Sequence, residues 1–254
     1  QRRQSVINWI LSPYRTVLGR FHYKQGRKAE DSGNWIDAKH AFHSAVQHDP
    51  SVPIYHYRLA RNHERLDELD RAVCCYQTAI ALDAGRAHWH ARLAGVLALQ
   101  KHYAAAELSY RTALALNDRP AEWHAALADV LEQQGRDLAA SVAWREALER
   151  RSRVPEYHFR LGRCLERVAD RSGFVAVLDP QNLADLSDTG PSWIGELGQS
   201  GPISGRALWQ EAERAYRRAL QGRGDKSIVW FRLGQLSEKQ DNWKRAAECY
   251  GRAL

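Results

Sequence analysis

Apolar and polar residues along this chain follow two periods at once. Locally, small and large apolar residues return every three or four positions, the spacing that keeps side chains on one face of an α-helix. At longer range the whole pattern returns every 34 residues. Tyr55-His56-Tyr57-Arg58-Leu59-Ala60, Trp89-His90-Ala91-Arg92-Leu93-Ala94, Trp123-His124-Ala125-Ala126-Leu127-Ala128 and Tyr157-His158-Phe159-Arg160-Leu161-Gly162 stand in that register. Weaker copies are Phe21-His22-Tyr23-Lys24-Gln25-Gly26 and Val229-Trp230-Phe231-Arg232-Leu233-Gly234. A second block follows each first one: Ala38/Phe42/Ala45, Ala72/Tyr76/Ala79, Ala106/Tyr110/Ala113, Ala140/Trp144/Ala147, Ala212/Tyr216/Ala219 and Ala246/Tyr250/Ala253. Small, large and small residues at steps of four and three predict a second helix. Its small residues permit close approach to the first, and its aromatic ring fills the space beside them.

This register divides the chain into repeats at 19–52, 53–86, 87–120, 121–154, 155–226 and 227–254. Gly33 and Gly135 fall where the chain must turn between two helices, and Pro50 stands where a helix cannot continue. Trp35, Leu69, Tyr103, Trp209 and Trp243 share one position at the start of the second helix, where they can plug the turn. Residues 1–18 lie outside the pattern. Their apolar run, Val6 to Leu18 with Pro13 inside it, reads as a helix capping the open end of the stack. The other reading is an amphipathic element, helped by Arg2 and Arg3, for peripheral contact with a membrane surface or another domain. In the fifth repeat about 38 extra residues, near 169–206, separate the two helices; they are rich in Gly and Pro. A loosely packed loop, a loop folded over a groove, and an extra helix through Trp193–Leu197 are the readings open for this insertion.

Six copies in register resemble the tetratricopeptide-repeat family, and the likeness covers nearly everything after residue 18. The resemblance implies an all-α, right-handed superhelical solenoid of antiparallel helix pairs that binds protein segments. It also implies that first helices line a concave groove, with the fifth and ninth repeat positions facing into it. The fifth position holds Tyr23, Tyr57, Ala91, Ala125, Phe159 and Phe231. The sixth holds Lys24, Arg58, Arg92, Ala126, Arg160 and Arg232, and the ninth Arg27, Arg61, Gly95, Asp129, Arg163 and Gln235. Two readings of these arginines stay open. They can pair with Glu64, Glu132, Glu166 and Glu238 between repeats, or they can form a ladder of guanidinium forks for carboxylates or phosphates. The carboxylate-clamp subclass carries Lys followed four residues on by Asn; Tyr23 with Arg27 and Tyr57 with Arg61 depart from it. His22, His56, His90, His124 and His158 also recur in register. Equivalent atoms in stacked repeats stand ~8–10 Å apart, too far to share one metal ion, so these histidines read as packing groups.

Charge narrows the partner. The chain has 37 basic and 30 acidic residues, net +7, with a pI near 9.4. An extended acidic protein segment or a polyanionic polymer suits this balance, while nucleic acid is disfavoured by the admixture of acid. No apolar run reaches membrane-spanning length. Cys74, Cys75, Cys164 and Cys249 show no pairing pattern, which places the protein in the cytoplasm with reduced thiols. No G-x-S-x-G, H-E-x-x-H or phosphate loop appears, so the expectation is a non-catalytic scaffold without cofactor or metal. The chain starts at Gln1 and stops inside a helix, which reads as a piece of a longer protein. Its open C-terminal end invites a homo-oligomer or a fused domain. The aromatic-His-aromatic-Arg-Leu-Gly blocks also look like arrays attached to bacterial transferases of phosphate-containing wall or capsule polymers. The alternative function is therefore the polymer- or substrate-binding arm of such an enzyme.

Overall fold

The computed structural model describes residues 2–171, 205–222 and 226–254, with side chains from residue 14 onward. Most of the 169–206 insertion, including Trp193–Leu197, lies outside the described residues. Every regular element among the described residues is an α-helix. The helices are α1 (Arg2–Asp31), α2 (Trp35–His48), α3 (Pro53–Arg65), α4 (Leu69–Leu82), α5 (Ala87–Leu99) and α6 (Tyr103–Leu116). They continue with α7 (Ala121–Gln133), α8 (Asp137–Arg150), α9 (Pro155–Arg171), α10 (Gly205–Ala219), α11 (Ser227–Lys239) and α12 (Trp243–Ala253). They form two compact units, Gln1–Asp118 with α1–α6 and Arg119–Leu254 with α7–α12. Within each unit odd- and even-numbered helices pack as antiparallel pairs, the all-α solenoid class that the 34-residue period predicts. α1 runs from residue 2 through Pro13 into the first pair as one helix.

The turn inside five of the pairs, all but α9–α10, uses one device. The second residue after the first helix adopts positive φ at Gly33 (75°), Asp67 (58°), Lys101 (62°), Gly135 (75°) and Asp241 (57°). The following amide then reaches back to a carbonyl five residues earlier. These bonds are Asn34 to Ala29, Glu68 to His63, His102 to Leu97, Arg136 to Leu131 and Asn242 to Ser237, each 2.9–3.0 Å. This closes the helix with a Schellman motif. Gly is free of strain there, Asp tolerates it, and Lys101 bears the Cβ penalty in full. Asn34 and Asn242 then cap the second helix, accepting from the Asp37 and Arg245 amides at 3.2 Å.

Small residues on both helices let each pair close. Ala38, Ala45, Ala72, Ala79, Ala106, Ala113, Ala140, Ala147 and Ala212 are fully buried, and Phe42, Tyr76 and Tyr216 between them are buried just as completely. In three pairs the ring lies against a Gly of the partner helix. A Cβ on Gly26 would stand 2.7 Å from Phe42, one on Gly162 2.8 Å from Tyr216, and one on Gly234 2.5 Å from Tyr250. Successive pairs are joined by stacked rings. Tyr55 stacks on Tyr23 and Trp89 on Tyr57, both with centroids 5.2 Å apart. In the second unit Ala125 leaves the fifth position without a ring, and Tyr157 leans on Trp144 instead, at 5.4 Å.

The recurring histidines also join successive pairs. His56 Nε2 lies 2.8 Å from the Pro50 carbonyl, His90 Nε2 3.1 Å from that of Ala84, and His158 Nε2 2.8 Å from that of Ser152. A carbonyl only accepts, so Nε2 is the protonated nitrogen in all three. Each ring thereby ties the start of its helix to the turn six residues earlier. His124 bonds Glu146 at 2.9 Å, and His22 stacks on His48.

Substitutions at glycines test the close approach of the helices. Gly162→Ala is expected to destabilise the fold by about 1–3 kcal/mol through overpacking against Tyr216. Gly251→Ala, in α12 with nothing near its Cβ position, is expected to stabilise by about 0.4–1 kcal/mol. Chemical denaturation of the two variants beside the parent protein measures both; equal effects would rule out the steric account.

Candidate binding face of the first helices

One turn beyond the aromatic-rich start of five of the six first helices, a carboxylate recurs in register: Glu30, Glu64, Glu132, Glu166 and Glu238, with Ala98 in its place in α5. Its surroundings repeat as well. In the first unit Glu64 accepts from the Tyr76 hydroxyl at 2.6 Å and from Arg92 Nη1 at 3.4 Å. Glu30 accepts from Arg58 Nη1 at 2.8 Å and from Asn62 Nδ2 at 2.9 Å. In the second unit Glu132 accepts from Trp144 Nε1 at 2.9 Å and from Arg167 Nη2 at 2.6 Å. Glu166 accepts from the Tyr216 hydroxyl and from Lys239 Nζ, both at 2.8 Å. The polar tip of a buried aromatic needs an acceptor, and the carboxylate supplies it. The charge that remains is met by a cation from the next pair.

These contacts show in the protonation equilibria. Burial pushes the Tyr76 and Tyr216 hydroxyls up, and the Glu64 and Glu166 carboxylates push them further. Burial acts to raise Glu132, but hydrogen bonds from Arg167 and Trp144 prevail and hold it below the ordinary glutamate range. Arg167 is shared with Asp137, which receives its Nε at 2.7 Å and also pairs with Arg171. At the turn of the second pair, Glu68 is brought down to about 2 by Lys39 and by the ring of His63.

The arginines and rings expected to line a groove separate into two groups. Arg58 and Arg92 are engaged by Glu30 and Glu64, and Arg160 by Glu156 at 2.9 Å and Asp129 at 3.6 Å. Tyr57 is buried against Tyr76 and Trp89, and Tyr23 lies between Phe42 and Tyr55. Phe159 packs on Tyr216 and Phe231 on Tyr250. These rings hold helices together. The second group keeps its charge available. Among the described residues Lys24, Arg27, Arg61 and Arg163 make no ion pair, while Arg232 donates only to the neutral Gln235, at 3.2 Å. The Tyr23 hydroxyl raises the Arg27 pKa further.

Arg163 and Arg232 meet in a cleft of about 310 Å³ in the second unit, also lined by Glu166, Arg167, Asp170, Gln235, Glu238 and Lys239. Arg167 and Lys239 were not among the residues the sequence singled out. They share the register position after the carboxylate, so the same 34-residue comparison, extended by one residue, would have found them. Their charges are already spent on Glu132, Asp137, Glu166 and Asp170. Arg163 and Arg232 are therefore the cleft's unpaired cations among the described residues.

A family model for the tetratricopeptide repeat matches residues 23–87 and 205–254. No curated protein matches the chain in sequence. Among solved structures, YrrB is similar with a TM-score of 0.63 at 18% identity, covering 84% of this chain and 90% of its own. PilF of Pseudomonas aeruginosa is similar with a TM-score of 0.60 at 18% identity, covering 92% and 90%. A MamA protein gives 0.62 at 15% identity, covering 89% and 96%. Likeness at such identities shows the shared fold.

The carboxylate register makes acid sensitivity testable. A glutamate whose folded pKa is depressed contributes stability above its unfolded pKa of ~4.3 and loses it as pH falls through the folded value. Glu132→Gln is expected to melt lower than the parent at neutral pH and to lose less on going from about pH 5 to about pH 3. Thermal unfolding followed by circular dichroism across that range measures it; parallel curves would sink the assignment.

Proposed function

Since the chain belongs to the tetratricopeptide-repeat family, we propose that it is a non-catalytic scaffold whose first-helix face binds an acidic protein segment. The helix pairs serve as its repeats, with the bounds given by the 34-residue register. The observation that carries the reading is the pair Arg163 and Arg232. They come from successive first helices, line one cleft, and have no carboxylate of their own. An Asp or Glu side chain, or a terminal carboxylate, entering that cleft meets two guanidinium groups. Charge-assisted hydrogen bonds of this kind are about twice as strong as neutral ones. Around them the paired Arg167 and Lys239 keep the walls rigid and close to neutral, so selectivity rests on where the ligand's carboxylate falls. In the other unit, taken by itself, Lys24, Arg27 and Arg61 offer cations of the same kind on α1 and α3. YrrB, which shares the fold, is a tetratricopeptide-repeat protein with an unusual peptide-binding site, which supports a peptide as the ligand class. No helix among the described residues is long and apolar enough to cross a membrane. The four cysteines are free thiols, in keeping with a reducing compartment such as the cytoplasm.

The test is a titration of a fluorescent Glu-rich peptide, followed by anisotropy. Arg163→Ala/Arg232→Ala is expected to weaken binding at least tenfold, since each hydrogen bond to a charged group contributes about 1.5–3 kcal/mol. Arg111→Ala, whose arginine pairs with Glu107 on α6, is expected to bind as the parent does. Binding that survives the double substitution, or a preference for polyglycerol phosphate over the peptide, would overturn the proposal.

A further inference from the structure

We propose that the second unit carries a further anion site, on the side of α9 turned away from the first cleft, which takes an organic phosphate monoester through Arg214 and Arg218. α9 separates the two places. At about 100° per residue, Arg163, Glu166, Arg167 and Asp170 fall on one side of it, and His158 and Leu161 on the other. That second side, together with α8 and α10, encloses a cleft of about 700 Å³, the larger of the two. Its floor is apolar and buried, made by Leu148, Leu161 and Ala215. Its rim is charged. Arg145 of α8 is paired with Glu211 of α10, and Glu149 has Arg150 at 3.8 Å. Arg214 and Arg218 line the same rim, are exposed, and make no ion pair among the described residues.

Nothing in the repeat calls for these two arginines. At the same positions the other second helices carry His40 and Ser44, Cys74 and Thr78, Leu108 and Thr112, Val142 and Glu146, and Glu248 and Arg252. Two like charges one turn apart on a helix repel, so the pair disfavours α10 until an anion lies between them. The two oxygens of a carboxylate are satisfied by one guanidinium fork. A phosphate monoester brings three oxygens and close to two charges, enough for both forks. His158 adds no third cation. Its Nε2–H is spent on the Ser152 carbonyl at 2.8 Å, and burial, with Arg218 acting in the same direction, lowers its pKa. The phosphoryl group occupies only the rim. The cleft is of the size that holds small organic ligands, and its apolar floor suits the body that carries the phosphate, in a phosphoserine peptide or in a small molecule.

Fluorescence anisotropy with a labelled phosphoserine peptide of otherwise neutral sequence tests the site. The parent protein is expected to bind it at least tenfold more tightly than the same peptide with Ser or Glu in that place. Arg214→Gln/Arg218→Gln is expected to lose at least tenfold in affinity while keeping its fold, since both side chains are exposed and Gln is a good helix former. Two variants are expected to bind as the parent does: Arg217→Gln, whose arginine on α10 is paired with Glu213, and Arg163→Ala/Arg232→Ala. Competition separates the sources of the phosphate. Displacement by glycerol 3-phosphate at the peptide's own affinity assigns the site to small monoesters, and resistance to it assigns the site to phosphorylated protein segments; either upholds the site. Absence of binding overturns the proposal, as does equal affinity for the Glu peptide or displacement by inorganic phosphate at the peptide's own affinity. So does binding that survives loss of Arg214 and Arg218, or that disappears with Arg163 and Arg232. A Glu-rich peptide that fails to bind at Arg163 and Arg232 leaves all of these outcomes as they are, because the two clefts share no side chain.

Discussion

The close approach of two helices at a Gly facing an aromatic ring constrains the rest of this molecule. With Gly162 2.8 Å from Tyr216 at its Cβ position, and Gly234 nearer still to Tyr250, the separation within a pair leaves no room for a side chain. The ring is then held against the partner backbone, and the hydroxyls of Tyr76 and Tyr216 reach Glu64 and Glu166. A carboxylate waits there in register. That carboxylate cannot remain partly buried and uncompensated, so a cation arrives from the next pair. Packing inside one pair thus dictates the electrostatics between pairs.

The same chain of consequences decides which charges are left for binding. Register alone makes Arg58, Arg92, Arg160 and Arg232 look alike at the sixth position, and Arg163 stands on the same helices at the ninth. They differ only in whether a carboxylate reaches them. Arg58 and Arg92 answer Glu30 and Glu64 of the preceding pair. In the second unit Arg167 and Lys239 perform that service for Glu132 and Glu166 from a different register position. Arg163 and Arg232 are thereby released. Irregularity in an otherwise regular array is what makes one stretch of the face chemically distinct.

Stacked rings and histidine bonds between successive pairs act in the opposite direction, making the pairs alike. An imidazole six residues past a carbonyl closes the same small ring of structure at His56, His90 and His158. Equivalent joints give the array its modular stability, since each pair contacts mainly its neighbours.

Most of the fold was legible because it is written in local terms. Ala38, Phe42 and Ala45, repeated at fixed spacing, announce a second helix with a small-large-small face, and Gly33 and Gly135 announce its turn. The turns at Asp67, Lys101 and Asp241 lacked that signal, since nothing in those residues demands positive φ; the Schellman bonds imposed it. The site was less legible. Fifth-position rings read equally well as ligand-stacking or packing groups, and only three-dimensional contact placed Tyr57 between Tyr76 and Trp89. By itself, then, the sequence determined the helices, their pairing and the columns of like residues, because periodicity is a property of neighbours along the chain. Tertiary structure alone decided which arginines are spent and which remain, because a charge is neutralised by what lies within a few ångströms of it, and those groups come from other turns of the array.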